Sequence, residues 1–437
     1  MKVFNDINSQ GIFYFNGFEL PGVLVTKANN PIEVKIVTNY KLSNIAKTEI
    51  EIFDNKPQRI SLIYGVLKSD NKKVTLVDAM FYASSWSSNN LYEYTIITNL
   101  MVLGEFIDDI NEFRIDNVAL IISALNKLIG NTLLSARKQI KENVWHFDII
   151  NSKDIDFGKE DGIKIILKAF YNFEMYSRRS SFTIEQKNSI EFTFDPPKKL
   201  YDIIGFVRTI ENYFSFVFQT ELGIDEVAYL GLEKYEDRTI ELINHIYYND
   251  EDKTNNKVDI DRYLINDDKI EENIGLHLFN WIRLTNNIEY LNYFIRLYYG
   301  NKYIDQKIIA QINMLEALHR FYYGTKRSDS DNNDLIENIC SELKTDTYKE
   351  LVTGLLKQKN SFGLNRKIKE LADKAGCPIV DKQIVKDINN LRQQYSHGSK
   401  NKDTNIQKLR TINEFLMNII NSLILSEVKS MIKKAEL

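Results

Sequence analysis

Arg392 and His397, separated by four residues, are the pair in this sequence best suited to acid–base chemistry on a phosphodiester. Cleavage of RNA by its own 2′-hydroxyl requires one group to take the hydroxyl proton, another to protonate the leaving 5′ oxygen, and a cation to stabilise the phosphorane charge. An imidazole carries protons near neutral pH and a guanidinium stays charged, so two such pairs across a two-fold axis would cover those needs without a metal. The spacing alone is weak evidence. Arg238 and His245 form a similar pair with six residues between them, and basic residues at a helix C-terminus also serve simply to complement its dipole.

The segment that carries the pair, Asn389 to Gly398, reads as the end of an amphipathic helix whose buried face would be Ile384, Ile388, Leu391 and Tyr395, with Gly398 as the stop. At about 100° per residue, Arg392 falls about 80° from Ile384, half-sheltered on the shoulder of that face. A continuous helix turns His397 about 140° away from Arg392, so the two converge only if the helix ends near Ser396 or if two copies of the segment meet. Upstream, Glu316 could reach Arg392 as a bidentate partner, although a local pair with Arg320 at i+4 is slightly favoured. His319 falls on the apolar face of that same helix and is expected as a satisfied core histidine ahead of a catalytic one. Tyr395 is expected as core packing, its hydroxyl within reach of a phosphate as the alternative.

These helices belong to a chain that changes character along its length. Up to about residue 101, apolar and β-branched residues alternate in short runs: Ile12–Phe15, Val23–Thr26, Glu33–Val37, Ile60–Val66, Val74–Phe81 and Tyr92–Thr98. Asn16-Gly17, Pro21-Gly22 and residues 68–72 read as turns. Residues 105–240 mix strand signals (Trp145–Ile150, Gly162–Tyr171, Ser189–Phe194) with a helix over Leu200–Phe218. After about residue 270 helical periodicity takes over, near 274–298, 303–323, 331–343, 346–357, 365–374, 382–396 and 403–433. The last helix repeats apolar residues at Ile406, Leu409, Leu416, Ile420 and Leu423. The expected fold is multidomain α and β: a β-rich, sandwich-like N-terminal domain with an α+β extension over 1–240, a linker over 241–270, and an all-α bundle over 271–437.

Composition narrows the function classes. The 437 residues are 43% hydrophobic and carry a net charge of −4, but the charge is uneven. Residues 1–300 hold 33 basic and 43 acidic side chains, residues 301–437 hold 23 and 17. The basic surplus lies beside the Arg–His pair, where a polyanion would bind. No leader or membrane-length apolar run is present, so a cytoplasmic protein with no membrane partner is expected. Two cysteines, Cys340 and Cys377, are too few for a disulfide framework. No phosphate-binding glycine loop, dinucleotide fingerprint, zinc-protease or serine-hydrolase motif occurs. Asp329 to Asp334 starts like a calcium loop, but it has Asp334 where glycine is needed and Cys340 where the closing glutamate belongs. No metal and no cofactor are expected.

Arg392-Gln393-Gln394-Tyr395-Ser396-His397 resembles the Arg-polar-x3-His motif of the HEPN superfamily, compact helical bundles in which this motif marks ribonucleases that act as dimers. Met314-Leu315-Glu316-Ala317-Leu318-His319-Arg320 is similar to a helix of the ApeA-like branch, and Ile63–Leu67 leading to Val74–Leu76 resembles the N-terminal domain paired with it. The polar residue after the arginine is often Asn, Asp or His, and here it is Gln393. The resemblance implies a metal-independent endoribonuclease that leaves 2′,3′-cyclic phosphate ends and serves as an antiphage abortive-infection toxin. Arg392 and His397 would be catalytic, with Glu316, Gln393, Tyr395 and His319 in support. The implied partners are RNA, with tRNA among the candidates, a second copy in a homodimer or higher even oligomer, and a phage-derived trigger. The competing class is a non-catalytic HEPN module that binds RNA or regulates, under an N-terminal domain that senses a ligand or partner.

Overall fold

Glycine placement explains how the first strands pack so closely around one aromatic ring. In the computed structural model, Phe13 is fully buried and lies against Gly11, Gly22 and Gly65. A Cβ at Gly65 would stand 2.6 Å from Phe13 Cδ1, and one at Gly22 would stand 3.0 Å from Phe13 Cδ2. The structure describes residues 7–15, 17–27, 30–39, 58–86, 92–129, 134–139, 144–149, 154–176, 181–235, 238–248, 264–265, 270–324, 341–342, 345, 349, 363–377, 382–397 and 405–430.

Six antiparallel strands surround that ring: β1 (Asn8–Phe15), β2 (Phe18–Val25), β3 (Ile32–Thr38), β4 (Gln58–Leu67), β5 (Lys73–Trp86) and β6 (Tyr92–Thr98). They pair in the order β5-β4-β1-β2-β3-β6, and β6 returns to β5 through Met80 opposite Ile97, which closes a barrel. Alternation decides which residues fill it. In β3, Ile32, Val34 and Ile36 point inward, joined by Leu24, Ile63, Leu76 and Ile96 from the other strands. Gly17, with φ 84°, and residues 68–72 lie in turns as expected, while Asn16 lies outside the described residues. Pro21-Gly22 is not a turn: both lie inside β2, and Gly22 is there because Phe13 occupies the space of its side chain.

A second sheet grows from the same hairpin. β7 (Leu100–Leu103) continues the line of β6 along β5, but its free edge pairs with β15 (Arg238–Tyr248), whereas that of β6 pairs with β3. Thr98 fixes this division: its hydroxyl donates to Val77 O (2.5 Å) and accepts from the amide of Leu100 (3.1 Å). Beyond β15 follow β14 (Glu226–Tyr235), β8 (Arg114–Ile121), β13 (Ser181–Lys199), β12 (Ile163–Tyr176) and β11 (Ile155–Glu160). β9 (Leu134–Gln139) and β10 (Val144–Ile149) form a separate hairpin. Among the described residues this region also holds α1 (Ser123–Ile129) and α2 (Leu200–Val217), and α2 sets Phe206 edge-on to Phe192 and Phe194 of β13 at 4.8 and 5.0 Å. The β-rich fold is as expected, and its sandwich-like form is a closed barrel continued by an open sheet.

The chain divides into two compact units, Met1–Gly275 and Leu276–Leu437. β15 runs to Tyr248, past residue 240, and most of the linker, the calcium-like loop and the helices read near 331–343 and 346–357 lie outside the described residues. The second unit is helical: the larger part of α3 (Ile270–Asn287), then α4 (Tyr290–Gly300), α5 (Ile304–Tyr323), α6 (Leu364–Lys374), α7 (Lys382–His397) and α8 (Ile406–Ser430). The single helix expected over 274–298 is two, broken after Asn286-Asn287, where short amide side chains compete for the backbone. α5 is the centre of this bundle, in contact with α4, α6 and α8. It buries Ile308, Ile312, Leu315 and Leu318. Ile406, expected on the apolar face of the last helix, is 61% exposed at its first turn, while Leu409, Leu416, Ile420 and Leu423 are buried.

Gly65→Ala should destabilise the first unit by about 1–3 kcal/mol, the usual cost of overpacking. Adding Phe13→Leu should return part of that loss, because the smaller side chain vacates the space the new methyl needs. Urea unfolding of the single and double variants measures the coupling. Strictly additive effects would show that the ring and the glycine do not share one space.

Candidate functional site

Three helices of the second unit present charged side chains to one another along the flanks of their apolar stripes. On α5, Glu316 sits one position past the buried Met314-Leu315 pair and keeps 21% of its side chain exposed. α7 buries Val385, Ile388 and Leu391, which leaves the next residue, Arg392, at the edge of the packed face with 44% of its side chain exposed. Arg392 Nη2 lies 3.0 Å from Glu316 Oε1. The contact across helices therefore forms, and not the local Glu316–Arg320 pair that was slightly favoured by spacing.

A third helix adds a residue that the sequence reading missed. Lys367 of α6 donates to the same oxygen, Glu316 Oε1, at 3.3 Å, with 20% of its side chain exposed. It stands three residues after Leu364 and four before Leu371, both buried, so it lies on the apolar stripe of α6. A charge at that place in the heptad pattern must find a partner or reach water. That was the signal available: one lysine inside a stripe otherwise made of Leu364, Ile368, Leu371 and Ala372.

His319 lies one turn beyond Glu316 on α5, 1% exposed, with Nε2 2.8 Å from Glu370 Oε2. Arg366 Nε donates to the other oxygen of Glu370 at 2.6 Å. Burial would raise the Glu370 carboxyl, but the bonds from His319 and Arg366 outweigh it and hold the group below the usual carboxylate range. His319 is thus the satisfied core histidine expected, and its partner Glu370 is the group sequence could not assign to it.

The remaining predicted residues separate. Tyr395 is 47% exposed, against the expectation of core packing, and donates from its hydroxyl to Asp305 Oδ2 at 2.8 Å. A phenol oxygen needs a partner, and Asp305 in the first turn of α5 supplies one at the surface. Burial and then the Asp305 bond push the phenol up to about 12, so it is neutral at physiological pH. Ile384 is half-buried while Val385 and Asp387 are buried in its place, Asp387 taking Lys408 at 2.8 Å. Gln393 is exposed. His397 is the last residue of α7, its side chain outside the described residues, as is Gly398.

The other Arg–His pair has a different setting. Arg238 and His245 both lie on β15, and His245 Nδ1 is 3.0 Å from Glu226 Oε1, whose carboxyl is lowered chiefly by that bond. Among the described residues no three His, Cys, Asp or Glu side chains converge as a metal site would need, and no helix is long and apolar enough to cross a membrane.

Residues 8–281 match the family model of ApeA N-terminal domain 1, and residues 309–430 match that of Apea-like HEPN. The first match takes in the barrel and the open sheet, the second Glu316, Lys367, Arg392 and His397. Neither the curated proteins nor the solved structures contain a match to this chain. The chain belongs to the ApeA family, an ApeA N-terminal domain joined to an ApeA-like HEPN domain.

Proposed function

We propose that this protein is an endoribonuclease that cleaves cellular RNA by metal-independent acid–base chemistry and acts in the cytoplasm as an antiphage abortive-infection toxin. HEPN domains are in general ribonucleases, so family membership supports an RNase-like antiphage role in general. The observation that carries the finer reading is Arg392, half-exposed yet held at 3.0 Å by a carboxylate from another helix, five residues before a histidine that ends its own helix. An arginine fixed in this way is set in advance to meet a phosphate and stabilise charge as it develops.

In this mechanism Arg392 contacts the scissile phosphate, Glu316 positions Arg392, and His397 moves the protons. One cleavage needs both a base and an acid, and each chain brings a single His397. α7 stays helical to His397, so its Cα is about 140° around the axis from that of Arg392. Two copies facing each other would bring two arginines and two histidines to one cleft. The working unit is therefore a homodimer or a higher even oligomer formed through the HEPN domain. Its substrate is RNA, with tRNA among the candidates, and the ApeA N-terminal domain receives a phage-derived trigger.

Arg392→Ala and His397→Ala should each abolish RNA cleavage and cellular toxicity while the melting temperature stays within a few degrees, because the ion pair of the partly exposed Arg392 contributes little to folding and His397 is the last residue of its helix. Arg238→Ala and His245→Ala should remain active. Loss of activity in the β15 variants, with the α7 variants still active, would move the site elsewhere.

Cleavage should persist in EDTA and leave 2′,3′-cyclic phosphate and 5′-hydroxyl ends, read by end-labelling and mass analysis of the fragments. A strict magnesium requirement or 5′-phosphate ends would count against the chemistry. Mixing excess His397→Ala chains into wild type under subunit exchange should suppress turnover more than dilution does. A fall in simple proportion to wild-type chains would show that one chain is sufficient.

A further inference from the structure

We infer that Lys367 is a substrate-binding residue of this site: with Arg392 it forms a two-cation seat for one RNA phosphate, and Glu316 is the internal anion that holds both cations in place. The inference rests on the ribonuclease reading above and adds to it a residue from a third helix.

Three observations support it. First, one carboxylate oxygen takes two cations, Arg392 at 3.0 Å and Lys367 at 3.3 Å. Among themselves these three side chains are two cations and one carboxylate, and charge-assisted hydrogen bonds from both cations suit a further anionic oxygen. The acid nearest to Lys367 on its own helix, Glu370, is already bonded to Arg366 and His319. Glu370 bonds neither Lys367 nor Arg392.

Second, the two nitrogens lie on one acceptor and can be no farther apart than the sum of those two distances. A single phosphate, with several oxygens around one phosphorus, can accept from both. An ammonium has three N–H donors. Among the described residues Lys367 spends one on Glu316, which leaves two for an incoming oxygen.

Third, the cluster is neither buried nor fully solvated. Lys367 and Glu316 are about one-fifth exposed and Arg392 somewhat less than half. In such a place a charge interaction is stronger than in open water, and a ligand can still reach it. A lysine placed there only to neutralise Glu316 would be redundant, since Arg392 already does so.

The test uses the full chain carrying His397→Ala, so that RNA is bound and not cut, with a fluorescently labelled mixed-sequence single-stranded RNA titrated across a salt series. Each phosphate contact contributes about 0.7 to the slope of log affinity against log salt for single strands. Lys367→Met should reduce the slope by about that amount and weaken binding roughly tenfold at low salt, as expected for a lost charged hydrogen bond. Lys367→Arg should retain both. Glu316→Gln removes the competing carboxylate, so it should tighten RNA binding in this background and, in the otherwise wild-type chain, lower kcat as Arg392 loses its anchor. A purely structural role for the cluster would not separate binding from turnover in this way.

Slope and affinity unchanged in Lys367→Met would overturn the inference and leave Lys367 a counter-ion. If that variant melts early, Lys367→Gln and Glu316→Gln carry the test by the same readings. Wild type that cleaves RNA while the lysine variants bind as the parent does would sink this inference alone. A parent chain that binds no RNA, from a wild type that cleaves none, would overturn it together with the ribonuclease reading.

Discussion

A single carboxylate oxygen, Glu316 Oε1, gathers one cation from each of two other helices, Arg392 from α7 and Lys367 from α6. Every other feature of the helical unit near this point can be read from that contact. α5 must be central and well buried for one of its side chains to face both neighbours, and its apolar positions Ile308, Ile312, Leu315 and Leu318 ensure this. Glu370 must be occupied elsewhere, and His319 and Arg366 occupy it. Ion pairs with partners this exposed contribute only about 0–1 kcal/mol to folding. Their consequence is geometric: they set where two positive groups stand without making the fold depend on them.

The N-terminal unit manages a different constraint, the unpaired edges of a large sheet. Six strands avoid it by closing on themselves, and the interior they enclose is filled by Phe13, Leu24, Ile36, Ile63, Leu76 and Ile96. A barrel packed in this manner is a core and, among the described residues, leaves no interior room for a ligand. The open sheet still has an end at β11. There the pairing with β12 is irregular between Asp156 and Lys159, Gly158 has φ 85°, and Lys159–Asp195 and Lys164–Asp156 ion pairs flank the strand. A bulge and paired charges are the usual means of discouraging a second chain from adding to an edge.

Much of this was legible in the sequence because it depends on local periodicity. The alternation in β3 and the 3.6-residue stripe of α5 are properties of single segments, and both were readable to within a few residues. What was not legible depends on contacts between segments. Pro21-Gly22 has the composition of a turn, yet Gly22 is small because Phe13 of the neighbouring strand needs its space. The role of Thr98 in dividing one strand line between two sheets arises from its bond to Val77, twenty-one residues away. Tyr395 had the spacing of a buried residue, but the carboxylate that satisfies its hydroxyl lies ninety residues upstream and at the surface. Glu316 and Arg392 were both singled out through the motifs that resemble the family's, while the choice between Arg320 and Arg392 as partner required the packing of two helices. Lys367 carried no motif at all; its only mark was a charge on an apolar stripe.

Net charge also misleads when it is read over the whole molecule. A chain at −4 would be expected to repel RNA, and its first 300 residues hold 43 acidic against 33 basic side chains. At physiological ionic strength, however, exposed charges are largely screened beyond about 8 Å. Near α6 and α7 the described residues include Lys367 and Arg392 sharing one carboxylate, and a Glu370 bonded to Arg366 and His319. The sign of the whole chain is therefore no guide to the surroundings of one carboxylate. It follows that the acidity of the chain as a whole does not argue against a polyanionic substrate, because the charges that meet such a substrate are the local ones.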